Sequence, residues 1–185
     1  MHIAVGICGA SGAPIAVSLL AALREQEVSL IITPEGQHLL DLEAGEVELP
    51  ATRRYHYLDF ESPLASSSRL PDALVVCPCT MRTLAAIAHG LCDNLITRCA
   101  DNILRLGRPL VIVPRETPLS LAALDNLRAV KAAGAFVVPP MLTYYYHPQS
   151  VQEMTDFAAG KVLDCLRLPH DRYRRWGEGA SIDTP

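Results

Sequence analysis

His2-Ile3-Ala4-Val5-Gly6-Ile7-Cys8-Gly9-Ala10-Ser11-Gly12 opens the chain with an apolar run that stops at two glycines bracketing a serine. A helical pattern follows from Pro14 to about Arg24, with Ile15, Leu19, Leu20 and Leu23 on one face. Strand, tight loop and helix in that order form the first half of a βαβ unit. The alternation then repeats. Val28 to Thr33 reads as a second buried strand, and the segment after Pro34 as a helix through Leu39, Leu40 and Leu42. Glu46 to Leu70 is less regular and reads as a long loop with one short element at most, the kind of segment that often carries function. Ala73 to Cys77 is another apolar strand, which Pro78 is expected to break ahead of a helix starting near Thr80. A helix from about Asn94 to Gly107, a strand from Pro109 to Val113 and a turn at Arg115-Glu116-Thr117 come next. Thr117 is placed as a helix N-cap with Pro118 at the first helical position and Gly134 closing that helix. Ala135 to Val138 is the last strand, and Ser150-Val151-Gln152-Glu153 has the capping-box spacing that opens a final helix through Asp156, Lys161 and Leu166.

Near-continuous apolar strands alternating with helices predict a parallel sheet covered on both faces. The expected fold is one doubly wound α/β domain, flavodoxin-like or Rossmann-like. Length agrees, because 185 residues at 50% apolar content fill one sizeable core and not two ordinary domains. Residues 1–168 are assigned to that domain, and residues 169–185 to a C-terminal tail that docks near the site or on a neighbouring subunit. A net charge of -4 leaves no global basic field for nucleic acid. The six cysteines lie mostly inside apolar runs without a CxxC pair, so they read as small buried hydrophobes rather than disulfides or metal ligands. With no basic leader ahead of the first strand, a cytoplasmic protein is expected. Ala132 to Gln152 is uncharged, but its prolines, glycine and tyrosines do not suit a membrane span.

Ligands of such sheets bind beyond the carboxyl ends of the strands, where Gly9 to Gly12, Thr33, Cys77 to Thr80 and Arg115 to Thr117 converge. Gly6, Gly9 and Gly12 are spaced by three, which is not the dinucleotide fingerprint. A glycine loop entering a helix still offers backbone N–H groups to a phosphate, with the Ser11 hydroxyl as a further donor. Thr33 stands where an adenine dinucleotide site wants a carboxylate, so a mononucleotide fits better. Arg115-Glu116 sets a phosphate-binding cation beside a carboxyl able to donate a proton, although a surface ion pair is the plainer alternative. Arg98 and Arg105 are seven apart on one helix face and either reach a common anion or are simply solvated. Tyr144-Tyr145-Tyr146-His147 suits a floor or lid for a flat ring, or a subunit contact. Trp176 docks on the body, covers a site or belongs to a loose tail.

Taken together, these motifs carry a resemblance. The chain resembles the UbiX-type flavin prenyltransferases along nearly its whole length. The match runs from Gly9-Ala10-Ser11-Gly12 through Cys77-Pro78-Cys79-Thr80, Asp93-Asn94-Leu95-Ile96 and Val113-Pro114-Arg115-Glu116-Thr117-Pro118. It continues through Pro148-Gln149-Ser150 to Arg175-Trp176-Gly177-Glu178. The wider group includes FMN-dependent cysteine decarboxylases. The resemblance implies metal-independent transfer of a dimethylallyl group from dimethylallyl monophosphate to reduced FMN, making prenylated FMN for a partner UbiD-type decarboxylase. By the same resemblance Gly9, Ala10, Ser11 and Thr33 lie at the FMN, Arg98 contacts the nucleotide, and Ser66, Ser67 and Ser68 approach the isoalloxazine. Ser67 replaces a family glycine. Ser11, Glu43 and Glu116 are implied as catalytic, and Arg105, Arg115, Glu116, Tyr145 and Lys161 as holding the substrate phosphate. Arg105 stands for a common lysine and Lys161 for a common arginine. Trp176 is a candidate shelter for allylic cation character, and a homo-oligomer, commonly a dodecamer, is implied. Two alternatives stay open. A cysteine decarboxylase would carry a Pro-Ala-Ser-Ala-Asn-Thr loop and a Met-Asn clamp where this chain has Cys77-Pro78-Cys79-Thr80 and Pro139-Pro140-Met141-Leu142-Thr143. A noncatalytic flavin carrier, or a subunit of a decarboxylase complex, is the other.

Overall fold

Ile3, Val5 and Ile7 of β1 (His2–Ile7) point to one face of a sheet and Ala4 to the other, and all four are fully buried. The computed structural model describes residues 1–177. Its sheet also holds β2 (Glu27–Ile32), β3 (Arg53–His56), β4 (Ala73–Cys79), β5 (Leu110–Pro114) and β6 (Phe136–Val137). The order is β3-β2-β1-β4-β5-β6 with every pairing parallel, and Ile3 lies opposite both Val28 and Ala73. Helices α1 (Ala13–Ala22), α2 (Pro34–Ala44), α3 (Met81–Ala88), α4 (Leu95–Arg105), α5 (Leu121–Ala132) and α6 (Val151–Cys165) cover it. One core gathers under α1 and α6 around Leu19, Leu20, Val75, Val111 and Val162. The other gathers under α3, α4 and α5 around Leu74, Leu84, Ile96, Ile103 and Val130. The predicted doubly wound α/β domain is the fold observed. Its strand order reverses between β1 and β4, which sets the crevice for a ligand at their carboxyl ends.

Five local expectations are corrected. Pro78 does not end its strand: β4 continues to Cys79 through a register shift after Val76, with a cis Cys77–Pro78 peptide. A bulged position needs no ladder N–H, so proline fits there. The irregular stretch from Glu46 to Leu70 contains two elements, edge strand β3 and a 3-10 turn at Pro63–Ala65. Arg53, Arg54 and His56 are exposed, so this strand carries no apolar pattern to read. Helix α5 starts at Leu121 rather than Pro118, because Ser120 is the cap and accepts from the N–H of Ala123 at 3.2 Å. Thr117 instead gives its N–H to the Glu116 carboxylate at 3.0 Å. The last strand shrinks to Phe136–Val137 at the far edge. At α6 Ser150 caps the N–H of Glu153, but the Glu153 carboxylate takes the N–H of Gln149 at 2.9 Å, one residue earlier than a capping box requires. A full box stands at α4 instead, between Asn94 and Thr97.

All six cysteines are free thiols. Burial pushes Cys8 up to about 11, against smaller lowering by its hydrogen bond with Thr83, and Cys99 up to about 12. Cys8 and Cys99 are neutral packing groups at physiological pH. Among the described residues no helix is long and apolar enough to cross a membrane.

Candidate active site

Gly12, with φ at 114°, is the N-cap of α1 and has no side chain to satisfy the helix entrance. Glu43, near the end of α2, does so instead. Its Oε2 accepts from the N–H of Gly12 at 2.8 Å and of Ala13 at 2.9 Å, and the Ser11 hydroxyl is bonded to the same carboxylate. Burial raises the Glu43 carboxyl, but the bonds from Ser11, Gly12 and Ala13 and the charge of Arg115 outweigh that and hold it below its ordinary range. This corrects the picture of an open phosphate cradle. Two of the N–H groups that an external anion would use already face an ionised side chain, which gains both donors and the positive helix end.

Beside this loop, a cleft of about 490 Å³ opens at the β1/β4 switch point. Gly9 and Thr33 line it as expected, joined by Tyr57, Thr80, Arg82, Thr83 and Asn94. Thr33 caps α2 through the N–H of Gly36 at 3.1 Å. Thr80 caps α3 through the N–H of Thr83 at 3.1 Å, and the two threonine hydroxyls are 3.0 Å apart. Thr80 belongs to a loop expected at the ligand, whereas Arg82, Thr83 and Asn94 were not read as ligand groups. The threonine spacing after a buried strand was the available signal, since it marks a helix entrance at a strand end. Hydroxyls, an aromatic wall and the Arg82 guanidinium, which is ion-paired with Asp93 at the cleft, suit a flavin nucleotide. Nearby, Nε of Arg115 is buried without a hydrogen-bond partner among the described residues, which fits a site completed by a bound anion.

Arg115 and Glu116 line a second cavity of about 510 Å³ with Leu119, Leu127 and the Pro139-Pro140-Met141 segment. A third, of about 330 Å³, shares that segment and adds Phe157 and Lys161. The structure therefore brings Arg115, Glu116 and Lys161 to two adjoining hollows. The second hollow lies next to the first cleft along the sheet edge, because Arg115 donates its N–H to the carbonyl of Cys79, the residue before Thr80, at 3.2 Å; Ser11 and Glu43 line none of the three cavities, although the charge of Arg115 reaches Glu43. Tyr145, in the segment before α6, packs near Phe157 of that helix, donates to the Arg174 carbonyl at 3.2 Å and meets the Trp176 ring edge-on at 5.1 Å. Trp176 is itself 81% exposed. The Glu178 of the C-terminal motif lies outside the described residues.

Other expected site residues are not brought to these hollows. Arg98 and Arg105 do share a face of α4, but Asp101 between them pairs with both, at 3.4 and 3.6 Å. Arg98 also donates to the Ala65 carbonyl at 3.1 Å, holding the turn before Ser66. Ser66, Ser67 and Ser68 are exposed, with the outer two hydroxyls bonded to each other at 2.9 Å. None of these five lines the three cavities. Among the described residues no group of three or more His, Cys, Asp or Glu side chains could hold a metal ion.

The flavoprotein family model matches residues 1–165. The flavin prenyltransferase UbiX of Methanocaldococcus jannaschii is 42% identical over 182 residues, covering 96% of this chain and 99% of that protein. The chain belongs to the UbiX flavin prenyltransferase family. A dodecameric FMN-dependent UbiX-like protein from Escherichia coli O157:H7 superposes with a TM-score of 0.92 at 38% identity, covering 95% of this chain and 99% of that one. AnUbiX, solved with FMN and dimethylallyl pyrophosphate, superposes at 0.90 and 36% identity over 95% of this chain and 96% of its own. A PPC decarboxylase reaches a TM-score of only 0.59 at 24% identity, covering 76% of this chain and 82% of its own, and so shares the fold alone. Of the stretches that carry the resemblance, Cys77-Pro78-Cys79-Thr80 reaches the first cavity through Thr80, and Arg115-Glu116 lines the second.

Proposed function

We propose that the protein transfers the dimethylallyl group of dimethylallyl monophosphate to reduced FMN. The observation that carries this is the adjacency, along the carboxyl edge of the sheet, of a hydroxyl-lined cleft and of two adjoining hollows, one lined by Arg115 and Glu116 and the other by Lys161. Because Glu43 already holds the α1 entrance, the flavin phosphate is assigned to the Thr80–Arg82–Thr83 side of the cleft, and the ring to Gly9, Ala10, Ser11 and Thr33. N5 of reduced flavin bonds one end of the allyl unit as the allylic C–O bond breaks, and C6 bonds the other end as the allyl double bond takes up a proton and C6 gives one up. Arg115, Lys161 and Tyr145 hold the donor phosphate, while Glu116 gives it a proton as the allylic C–O bond breaks, so that it departs as inorganic phosphate. Glu43, through Ser11, accepts the proton displaced from the acceptor. Trp176 offers an aromatic face to the allylic cation character.

The chain is further proposed to act as a homo-oligomer, with Ser66, Ser67, Ser68, Arg98 and Arg105 turned toward a neighbouring copy's site. Exposed Leu121 and Val151, at the starts of α5 and α6, and Met141 and Leu142 in the segment between β6 and α6 support a subunit contact at the carboxyl edge of the sheet. Delivery of the prenylated flavin to a UbiD-type decarboxylase, in a cytoplasm that keeps the thiols reduced, completes the reading. Release of inorganic phosphate from dimethylallyl monophosphate, compared with the diphosphate, tests it. Release from the monophosphate that depends on reduced FMN is expected, and release that is absent or indifferent to flavin overturns the proposal.

A further inference from the structure

Lys161 stands in the wall of the third cavity, and its ammonium does not hang free. Nζ donates to Oδ2 of Asp164, three residues on, at 3.0 Å and meets the Tyr173 hydroxyl at 3.0 Å. The same carboxylate accepts from the Tyr173 hydroxyl, from Nε2 of His170 at 3.1 Å and from Arg175 at 2.9 Å. His170 is almost wholly buried, at 4% side-chain exposure. The transfer reaction uses none of Asp164, His170 and Tyr173 directly. Their gathering is nonetheless built into the sequence. A Cβ at position 160 would fall 2.5 and 2.7 Å from the Tyr173 ring and 3.0 Å from His170, so glycine at that turn of α6 lets the 168–175 segment lie flat on the helix.

We propose that Asp164 is a positioning residue for the prenyl donor, fixing the Lys161 ammonium at the cavity wall so that it meets the donor phosphate already ordered. The inference rests on the reading that Lys161 binds that phosphate. A lysine is a point charge on a flexible four-carbon stem, and holding it in place before the ligand arrives removes an ordering cost from binding. Two of its three N–H donors are engaged by Asp164 and Tyr173, which leaves one for a phosphate oxygen. Asp164 does not cancel the attraction, because Lys161 and Arg175 together bring two positive charges to one carboxylate. The hydrogen bonds also keep Asp164 ionised: burial raises its carboxyl, but Tyr173, Lys161, Arg175 and His170 outweigh it and hold it well below the ordinary range.

Initial rates against dimethylallyl monophosphate at saturating reduced FMN, for the full chain and for Asp164→Asn, Lys161→Ala and the double variant, test this. Asp164→Asn is expected to raise the donor KM about five- to tenfold with kcat within roughly twofold, and the effect is expected to vanish when Lys161 is already alanine. Tyr173→Phe, which keeps the ring, is expected to give a smaller rise in the same parameter. An unchanged KM in Asp164→Asn, or an equal loss in the Lys161→Ala background, overturns the positioning role. If Asp164→Asn fails to bind FMN as the wild type does, Tyr173→Phe decides in its place. A wild-type protein that never releases phosphate from the donor removes the function on which the inference stands, whereas active wild type with indifferent variants overturns the inference alone.

Discussion

The Glu43 carboxylate occupies, at the entrance of α1, the position that a bound phosphate takes in many sheets of this type. Replacing it with alanine strips two backbone donors of their acceptor. Glu43→Ala is expected to cost about 1–2 kcal/mol, a fall in Tm of roughly 2–8 °C by thermal melt at neutral pH. Because the folded carboxyl titrates below its ordinary range, this stabilisation is present above the unfolded glutamate pKa and fades as pH falls through the lower folded value. The wild-type and variant melts are therefore expected to converge progressively below about pH 4. Glu116 makes a different demand. Glu116→Gln keeps the acceptor for the N–H of Thr117 but loses the proton, so kcat for phosphate release is expected to fall by about 10²–10⁴ with little change in KM. Full turnover in that variant would remove Glu116 as the acid.

Helix α6 and the segment laid across it form the unit on which Lys161 depends. Gly160→Ala gains helix propensity but drives a methyl group into Tyr173 and His170, so the segment carrying Trp176 is expected to loosen. Trp176 is the chain's one tryptophan, and its fluorescence anisotropy is expected to drop in the variant while the far-UV dichroism of the domain is kept. Unchanged anisotropy would mean that the segment is held by other contacts. At this scale β1, β2, β4 and β5 were legible because strands buried on both faces are almost continuously apolar. Strand β3 was not, since Arg53-Arg54-Tyr55-His56 at a sheet edge carries no such signal. The Ser150 cap was legible, and the cap of α5 was misplaced at Thr117, three residues before Ser120. Thr80 was legible as a strand end at the ligand crevice, but Thr83 was not legible as cleft lining, which depends on β4 lying beside β1. Glu43 reaches Gly12 across 31 residues, and only the family resemblance, not spacing, pointed to it.

The whole molecule is a parallel sheet whose switch point faces a cleft, with a second pair of hollows along the same carboxyl edge. At the helix entrances along that edge, Leu121 of α5 is 75% exposed and Val151 of α6 81%, apolar surface that a subunit contact would cover. Leu121→Glu combined with Val151→Glu is expected to shift the protein to smaller assemblies in size-exclusion chromatography with light scattering. An unchanged mass would place the subunit contact elsewhere. The central claim is chemical, and the flavin itself reports it. After incubation of the protein with reduced FMN and dimethylallyl monophosphate, mass spectrometry of the extracted flavin should show FMN gaining one isoprenyl unit; an unaltered flavin mass would contradict the account.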